Sequence, residues 1–198
     1  MTMSDHRSDR KSPWKTLRSR LVYQNPWIRV REDRVLQPDG SEGVFGIIEP
    51  RSAIGVVAIT PENEVYLVGQ YRYAVEEYSW EIVEGGIDPG EEPIEAARRE
   101  LAEEVGLAAG EWTALGGVVH PSNAFSRERG YLFLARDLTS IERCPDENEI
   151  LEIEKVGLDR CVEMAHDGRI RDALTIVAVL RALKLLGQEG PRVKSSVA

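Results

Sequence analysis

Residues 85–107 read GGIDPGEEPIEAARRELAEEVGL, and the rest of the chain is best understood outward from them. From Pro93 onward Ile94, Ala97, Leu101 and Val105 recur at helical spacing, with Pro93 in the first turn and Gly106 at the end. The spacing predicts a helix with one buried stripe. Glu100, Glu103 and Glu104 are related by i, i+3 and i+4, so they share a sector of that helix. Like charges so placed weaken a helix by roughly 0.2–0.5 kcal/mol per pair. Hard divalent cations take oxygen ligands and share them with substrate phosphates, which offsets that repulsion and points to metal-assisted pyrophosphate chemistry. The bland alternative for any Glu-rich helix is a solvated acidic face.

The flanking residues decide between the two. Gly85, five residues, Glu91, seven residues, Arg99-Glu100-Leu101, one residue, Glu103-Glu104, one residue, Gly106-Leu107 resembles the Nudix box, G-x5-E-x7-R-E-U-x-E-E-x-G-U with U aliphatic. Every specified position matches, and so long a fixed-spacing pattern is far more specific than a lone Gly-rich loop. The resemblance implies a hydrolase of nucleoside diphosphates linked to another moiety, using Mg²⁺ or Mn²⁺. It also implies a loop, helix, loop unit in which Glu100, Glu103 and Glu104 act on the metal. Arg99 would orient a box carboxylate and Glu91 would support the loop. Backbone groups around Gly85, including the Glu84 carbonyl, would face the metal, with Gly86 toward the substrate.

Composition is consistent with such an enzyme. The chain has 198 residues, 42% hydrophobic and 30% charged, enough for one domain with an appendage or for two small ones. A net charge of −9 argues against bulk binding of nucleic acid or of an anionic membrane. No apolar run approaches a membrane span and the first residues lack the apolar stretch of a signal peptide, so a cytoplasmic location is expected. Cys144 and Cys161, with His6, His120 and His166 scattered, form no zinc-site spacing.

Residues 1–13 read as a disordered tail. Strands are expected at 17–23, 27–36 and 43–48, with a turn at 37–40, forming a small antiparallel sheet. Further strands are expected at 54–59, 65–71, 80–83, 112–119, 130–135 and 151–156, and helices at 158–166 and 171–186. Residues 188–198 read as a polar tail. Strands mixed with a few helices indicate a mixed α/β or α+β class. The resemblance sharpens this to a Nudix fold, an α/β/α sandwich around a mixed sheet, over 51–187. The sheet at 14–50 resembles the extra domain of ADP-ribose pyrophosphatases and related nucleoside diphosphate sugar hydrolases, which implies a homodimer whose substrate pocket draws on both chains.

Residues outside the box bear on the substrate. Arg72, in Gln70-Tyr71-Arg72-Tyr73, has the planar fork that clamps phosphates, although an edge-strand arginine in water is the competing reading. It resembles the Gln-x-Arg segment of these enzymes. Trp27 occupies the place from which related enzymes present an aromatic group toward a nucleobase, while an isolated strand tryptophan is usually core. Arg51 is a similar candidate for phosphate or ribose contact. Residues 121–128, PSNAFSRE, lie where ADP-ribose pyrophosphatases carry a proline-containing loop, and Glu128 is its acidic member. Asp146-Glu147-Asn148-Glu149 resembles the acidic loop in which a glutamate handles the attacking water, with Glu149 the first candidate and Glu147 the second. The sequence thus points to hydrolysis of ADP-ribose or a related nucleoside diphosphate sugar. Dinucleoside polyphosphates or nucleoside triphosphates remain as alternatives, as does a non-catalytic nucleotide-sugar sensor.

Overall fold

A computed structural model of the chain describes residues 11–143 and 150–189, which form two compact units. The first comprises the N-terminal residues through Pro50 together with residues 122–128. Its sheet has the order β1 (Lys15–Gln24), β2 (Ile28–Leu36), β3 (Glu42–Pro50), all antiparallel. The expected turn between β2 and β3 is present, closed by Gly40 N–H donating to Gln37 O at 2.9 Å, with Gly40 at φ +86°. That positive φ is why glycine stands there. Residues 122–128 attach along β3: Ile48 N–H donates to Phe125 O at 2.8 Å and Arg127 N–H to Ile48 O at 2.9 Å. Beneath them Glu49 accepts from both Arg31 and Arg127, and buried Asp33 takes a two-pronged contact from Arg31. β1 is exposed at every position.

The second unit contains two sheets. β7 (Val83–Gly86), β4 (Ala53–Ala58), β9 (Gly130–Ser140) and β8 (Leu107–Ala114) form a mixed sheet in that order, in which β4 and β9 run parallel. β10 (Glu152–Gly157), β5 (Glu64–Arg72) and β6 (Glu77–Glu81) form an antiparallel one. Alternation along β4 sends Ile54, Val56 and Ala58 to one side, against Ala96, Ala97 and Leu101 of α1 (Pro93–Val105). Val57 faces the other side, with Leu158 and Cys161 of α2 (Leu158–His166) and Leu174, Ala178 and Ala182 of α3 (Ala173–Glu189). A period of two on the strand thus feeds two helical layers, giving the expected α/β/α arrangement. Burial lifts the Cys161 thiol to about 11, so it is an inert core group.

Three expectations change. Residues 80–83 do not form one strand. β6 ends at Glu81, opposite Val68, and β7 starts at Val83, opposite Val56, so the chain passes from one sheet to the other at Ile82. The strand expected at 112–119 instead begins at Leu107 directly after the helix and stops at Ala114. Finally, Ile94 is only half-buried, whereas Ala96 and the carboxylate-bearing Glu104 are fully buried.

Candidate active site

α1 is placed by its ends. Pro93 opens it, and Gly106 closes it in the left-handed conformation, φ +66°, with its N–H donating to Ala102 O at 3.0 Å. The loop of residues 87–92 returns to the helix through Glu91, which accepts the Asp88 N–H at 3.0 Å.

Arg99 is the hub of the site. Its Nε and Nη2 donate to the two Glu91 carboxylate oxygens at 3.1 Å each, and Nη1 donates to Glu100 at 2.7 Å and Glu103 at 3.1 Å. Nη2 also donates to Gly86 O at 2.9 Å. A planar fork with five donors is what allows one side chain to hold a loop carboxylate, two helix carboxylates and a β7 carbonyl. The Arg99 hydrogen bond, then the Asp88 amide, hold the Glu91 carboxyl below the usual range, while Glu91 first, with Glu100 and Glu103, pushes the Arg99 pKa up against the lowering effect of burial.

The three box carboxylates have different surroundings. Glu100 packs on Gly85 so closely that a Cβ there would stand 2.0 Å from its carboxyl carbon. Glu103 is the most exposed, with 39% of its side chain accessible. Glu104 is 3% exposed and accepts the Glu84 N–H at 3.3 Å. Among the described residues no three His, Cys, Asp or Glu side chains are grouped closely enough to hold a metal ion. The convergence expected from helical spacing is replaced by a split, in which Arg99 draws Glu100 and Glu103 while Glu104 turns inward. The donors still fit a hard divalent cation, because they are all oxygens and Glu100 lies over Gly85 in a space that a Cβ would fill.

Glu84 presents its backbone to this site and its side chain away from it. The half-buried side chain accepts from Thr175 Oγ1 at 2.9 Å, and its carboxyl is pushed well above the usual carboxylate range by desolvation first and then by Asp172. Arg72 pairs with Glu81, Nε lying 3.1 and 3.0 Å from its two oxygens. Burial lowers the Arg72 pKa, but Glu81, Glu84 and Glu104 together outweigh it and raise the net value. Neither Glu81 nor Thr175 is marked by any motif. Arg51 Nη1 lies 2.7 Å from Asp88 Oδ1, tethering the loop after β7. In the first unit Trp27 is 66% exposed, not core, and its N–H donates to Asn25 Oδ1 at 2.9 Å. Glu128 closes the loop of that unit, its N–H donating to Ser126 Oγ at 3.1 Å. Glu147 and Glu149 lie outside the described residues, as does Cys144.

No helix among the described residues is long and apolar enough to cross a membrane. The NUDIX domain model matches residues 49–176, and the model of the nucleoside diphosphate sugar hydrolase N-terminal domain matches residues 14–48. The methanol dehydrogenase activator of Bacillus methanolicus is 30% identical over 83% of this chain and 90% of its own length. The ADP-ribose pyrophosphatase of Bacillus subtilis is similar with the same identity and coverage. A crystal structure of an ADP compounds hydrolase superposes with a TM-score of 0.82 at 25% identity, covering 93% of this chain and all of that one. The family match spans the carboxylate helix, the Gly85 cradle and the Arg99 hub, and the protein belongs to the NUDIX domain family.

Proposed function

We propose that this protein is a Mg²⁺-dependent pyrophosphatase that hydrolyses ADP-ribose or a related nucleoside diphosphate sugar to a nucleoside monophosphate and a sugar phosphate. As a Nudix protein with an intact box it is a hydrolase, and Nudix hydrolases use divalent cations. The observation that carries the substrate class is the nucleoside diphosphate sugar hydrolase N-terminal domain at residues 14–48, directly ahead of the box-bearing domain. Relatives bearing the names ADP-ribose pyrophosphatase and ADP compounds hydrolase support the same class.

Glu100, Glu103 and Glu104, with the Glu84 carbonyl and the Gly85 backbone, would hold the cation. When bound there it would supply Lewis-acid chemistry and neutralise the charge of the diphosphate. The chain's own residues do the rest. Arg99 keeps Glu100 and Glu103 on the same side of the helix and fastens them to Gly86 O, so the carboxylates are oriented before substrate arrives. Arg72, fixed by Glu81, offers its remaining donors to a phosphate, and Arg51, Trp27, Glu128 and the Gly86 backbone are candidate substrate contacts. Water attacks one phosphorus, the bridging P–O bond breaks, and a carboxylate of the acidic loop, Glu149 ahead of Glu147, takes the proton. If Glu149 has that role, Glu149→Gln lowers turnover far more than it weakens substrate binding; the reverse order between Glu149→Gln and Glu147→Gln transfers the role to Glu147.

Residues 14–50 would serve as a dimerisation region and 51–187 as the hydrolase domain, in a cytoplasmic homodimer. The exposure of Leu17, Leu21, Val22 and Tyr23 on β1 of the single chain supports pairing. The test of function is a side-by-side assay of diphosphate sugars, dinucleoside polyphosphates and triphosphates in ¹⁸O water, with mass analysis of both products. ADP-ribose or another diphosphate sugar should have much the highest kcat/KM. A preference for triphosphates or dinucleoside polyphosphates would overturn the substrate assignment.

A further inference from the structure

Ile82 is where the chain leaves one sheet for the other. Its neighbours Glu81 and Val83 pair with Val68 and Val56 in different sheets, and Ile82 itself is 1% exposed. A buried N–H at such a break needs a partner from elsewhere. Thr175 supplies it: Thr175 Oγ1 accepts the Ile82 N–H at 3.1 Å and donates its own proton to Glu84 Oε1 at 2.9 Å. One hydroxyl thus grips two alternate residues of the segment that ends in Gly85. Thr175 is 0% exposed and is held in turn, its N–H donating to Asp172 Oδ2 at 2.7 Å in the first turn of α3. On the opposite side of the segment Glu84 N–H donates to Glu104 of α1.

From this geometry we infer that Thr175 is a positioning residue for the cation site: it sets the Ile82 to Gly85 backbone from the α3 side and so the placement of the Glu84 carbonyl and of the Gly85 cradle under Glu100. The inference rests on the Nudix reading of that loop and adds to it a residue 71 positions beyond Glu104, outside the box. Side chains that orient metal-binding groups from behind influence affinity as well as stability, which separates this role from plain packing.

The experiment measures Mn²⁺ affinity of the full chain by electron paramagnetic resonance without substrate, alongside thermal stability. Thr175→Val keeps the shape but removes both hydrogen bonds, and should weaken Mn²⁺ binding by roughly tenfold or more. Thr175→Ser keeps the hydroxyl and should restore it. Ile170→Val, which trims the same core at a residue 1% exposed without touching Thr175, should lower stability and leave Mn²⁺ affinity unchanged. Should Thr175→Val not fold, Thr175→Ala removes the same hydroxyl with a smaller side chain. Wild-type affinity in the hydroxyl-less variant, equal weakening by Thr175→Ser, or equal weakening by Ile170→Val would overturn the inference. Glu104→Gln separates the two levels: if it weakens Mn²⁺ binding and loss of the hydroxyl does not, only the role of Thr175 fails. If Glu104→Gln also binds normally, the metal reading of the box helix fails with it.

Discussion

Gly85 and Gly86 are adjacent glycines with opposite expected responses to a methyl group. An alanine Cβ at position 85 would lie 2.0 Å from Cδ and Oε1 of Glu100 and 2.4 Å from Cγ. Ordinary van der Waals contact begins at 3.4 Å, so the Glu100 carboxyl must retreat by about 1.4 Å, the gap between 2.0 and 3.4 Å. That retreat breaks its 2.7 Å contact with Arg99. Overpacking of this kind costs about 1–3 kcal/mol. The lower unfolded-state entropy of alanine returns about 0.4–1 kcal/mol. The net loss, up to about 2.6 kcal/mol and centred on about 1.3 kcal/mol, corresponds to a Tm lower by up to roughly 10 °C for a chain of this size. Turnover should suffer more, because displacing a catalytic group by ~1 Å can cost about 10²-fold. At position 86 the nearest atom is Arg51 Cδ at 3.9 Å, so Gly86→Ala should keep or slightly raise Tm. Thermal melts and steady-state rates at saturating Mg²⁺ check both. Wild-type Tm and turnover in Gly85→Ala, or equal damage from Gly86→Ala, would refute the claim that Glu100 needs the space above Gly85.

Two carboxyls should respond to pH in opposite senses. The folded Glu91 pKa is depressed, so its stabilisation is present above the ordinary carboxylate value of about 4.3 and lost as pH falls through the folded value; the Tm advantage of wild type over Glu91→Gln should shrink in acid. The folded Glu84 pKa is raised, so its contribution is present below about 4.3 and lost as pH rises through the folded value; Glu84→Gln should gain on wild type with increasing pH, and a gap in Tm that does not change with pH would refute this. Arg72→Ala should lower kcat/KM for the diphosphate sugar and also destabilise the fold, by about 1–3 kcal/mol, because it removes the ion-pair partner of the 3%-exposed Glu81 from a site that water reaches on the arginine side. Adding Glu81→Gln should recover Tm but not kcat/KM, and recovery of both would make the pair purely structural. Light scattering should give a dimer, and a monomer that keeps full activity after deletion of residues 1–48 would reject pairing through the N-terminal sheet.

What the sequence discloses about this site is what lies within one helical period or one fixed-spacing motif. Arg99, Glu100 and Glu103 are legible as a group because they lie within about a turn of one another, Arg99 donating to both carboxylates, and α1 runs from Pro93 to the left-handed Gly106 as the local signals require. The inward rotation of Glu104 was not legible. Spacing placed it with Glu100 on a polar sector, yet the amide that binds it belongs to Glu84, twenty positions earlier on a strand. Thr175 and Glu84 are 91 positions apart, and Thr175 reads locally as an ordinary residue of the first turn of α3. The change of sheet at Ile82 was hidden for a related reason. Trp80-Glu81-Ile82-Val83 has the composition of one strand, and only the partners Val68 and Val56, drawn from different strands, divide it. β8 shows the converse: its opening Leu107-Ala108-Ala109-Gly110 has weak strand propensity, and antiparallel pairing of Leu107 with Ser140 and Ala109 with Leu138 overrides it. The box therefore names the family, while the hydroxyl that contacts the segment leading into it, Thr175 on Ile82 and Glu84, comes from the last helix. Loss of the Thr175 hydroxyl should for this reason alter the site, although the residue lies outside the motif.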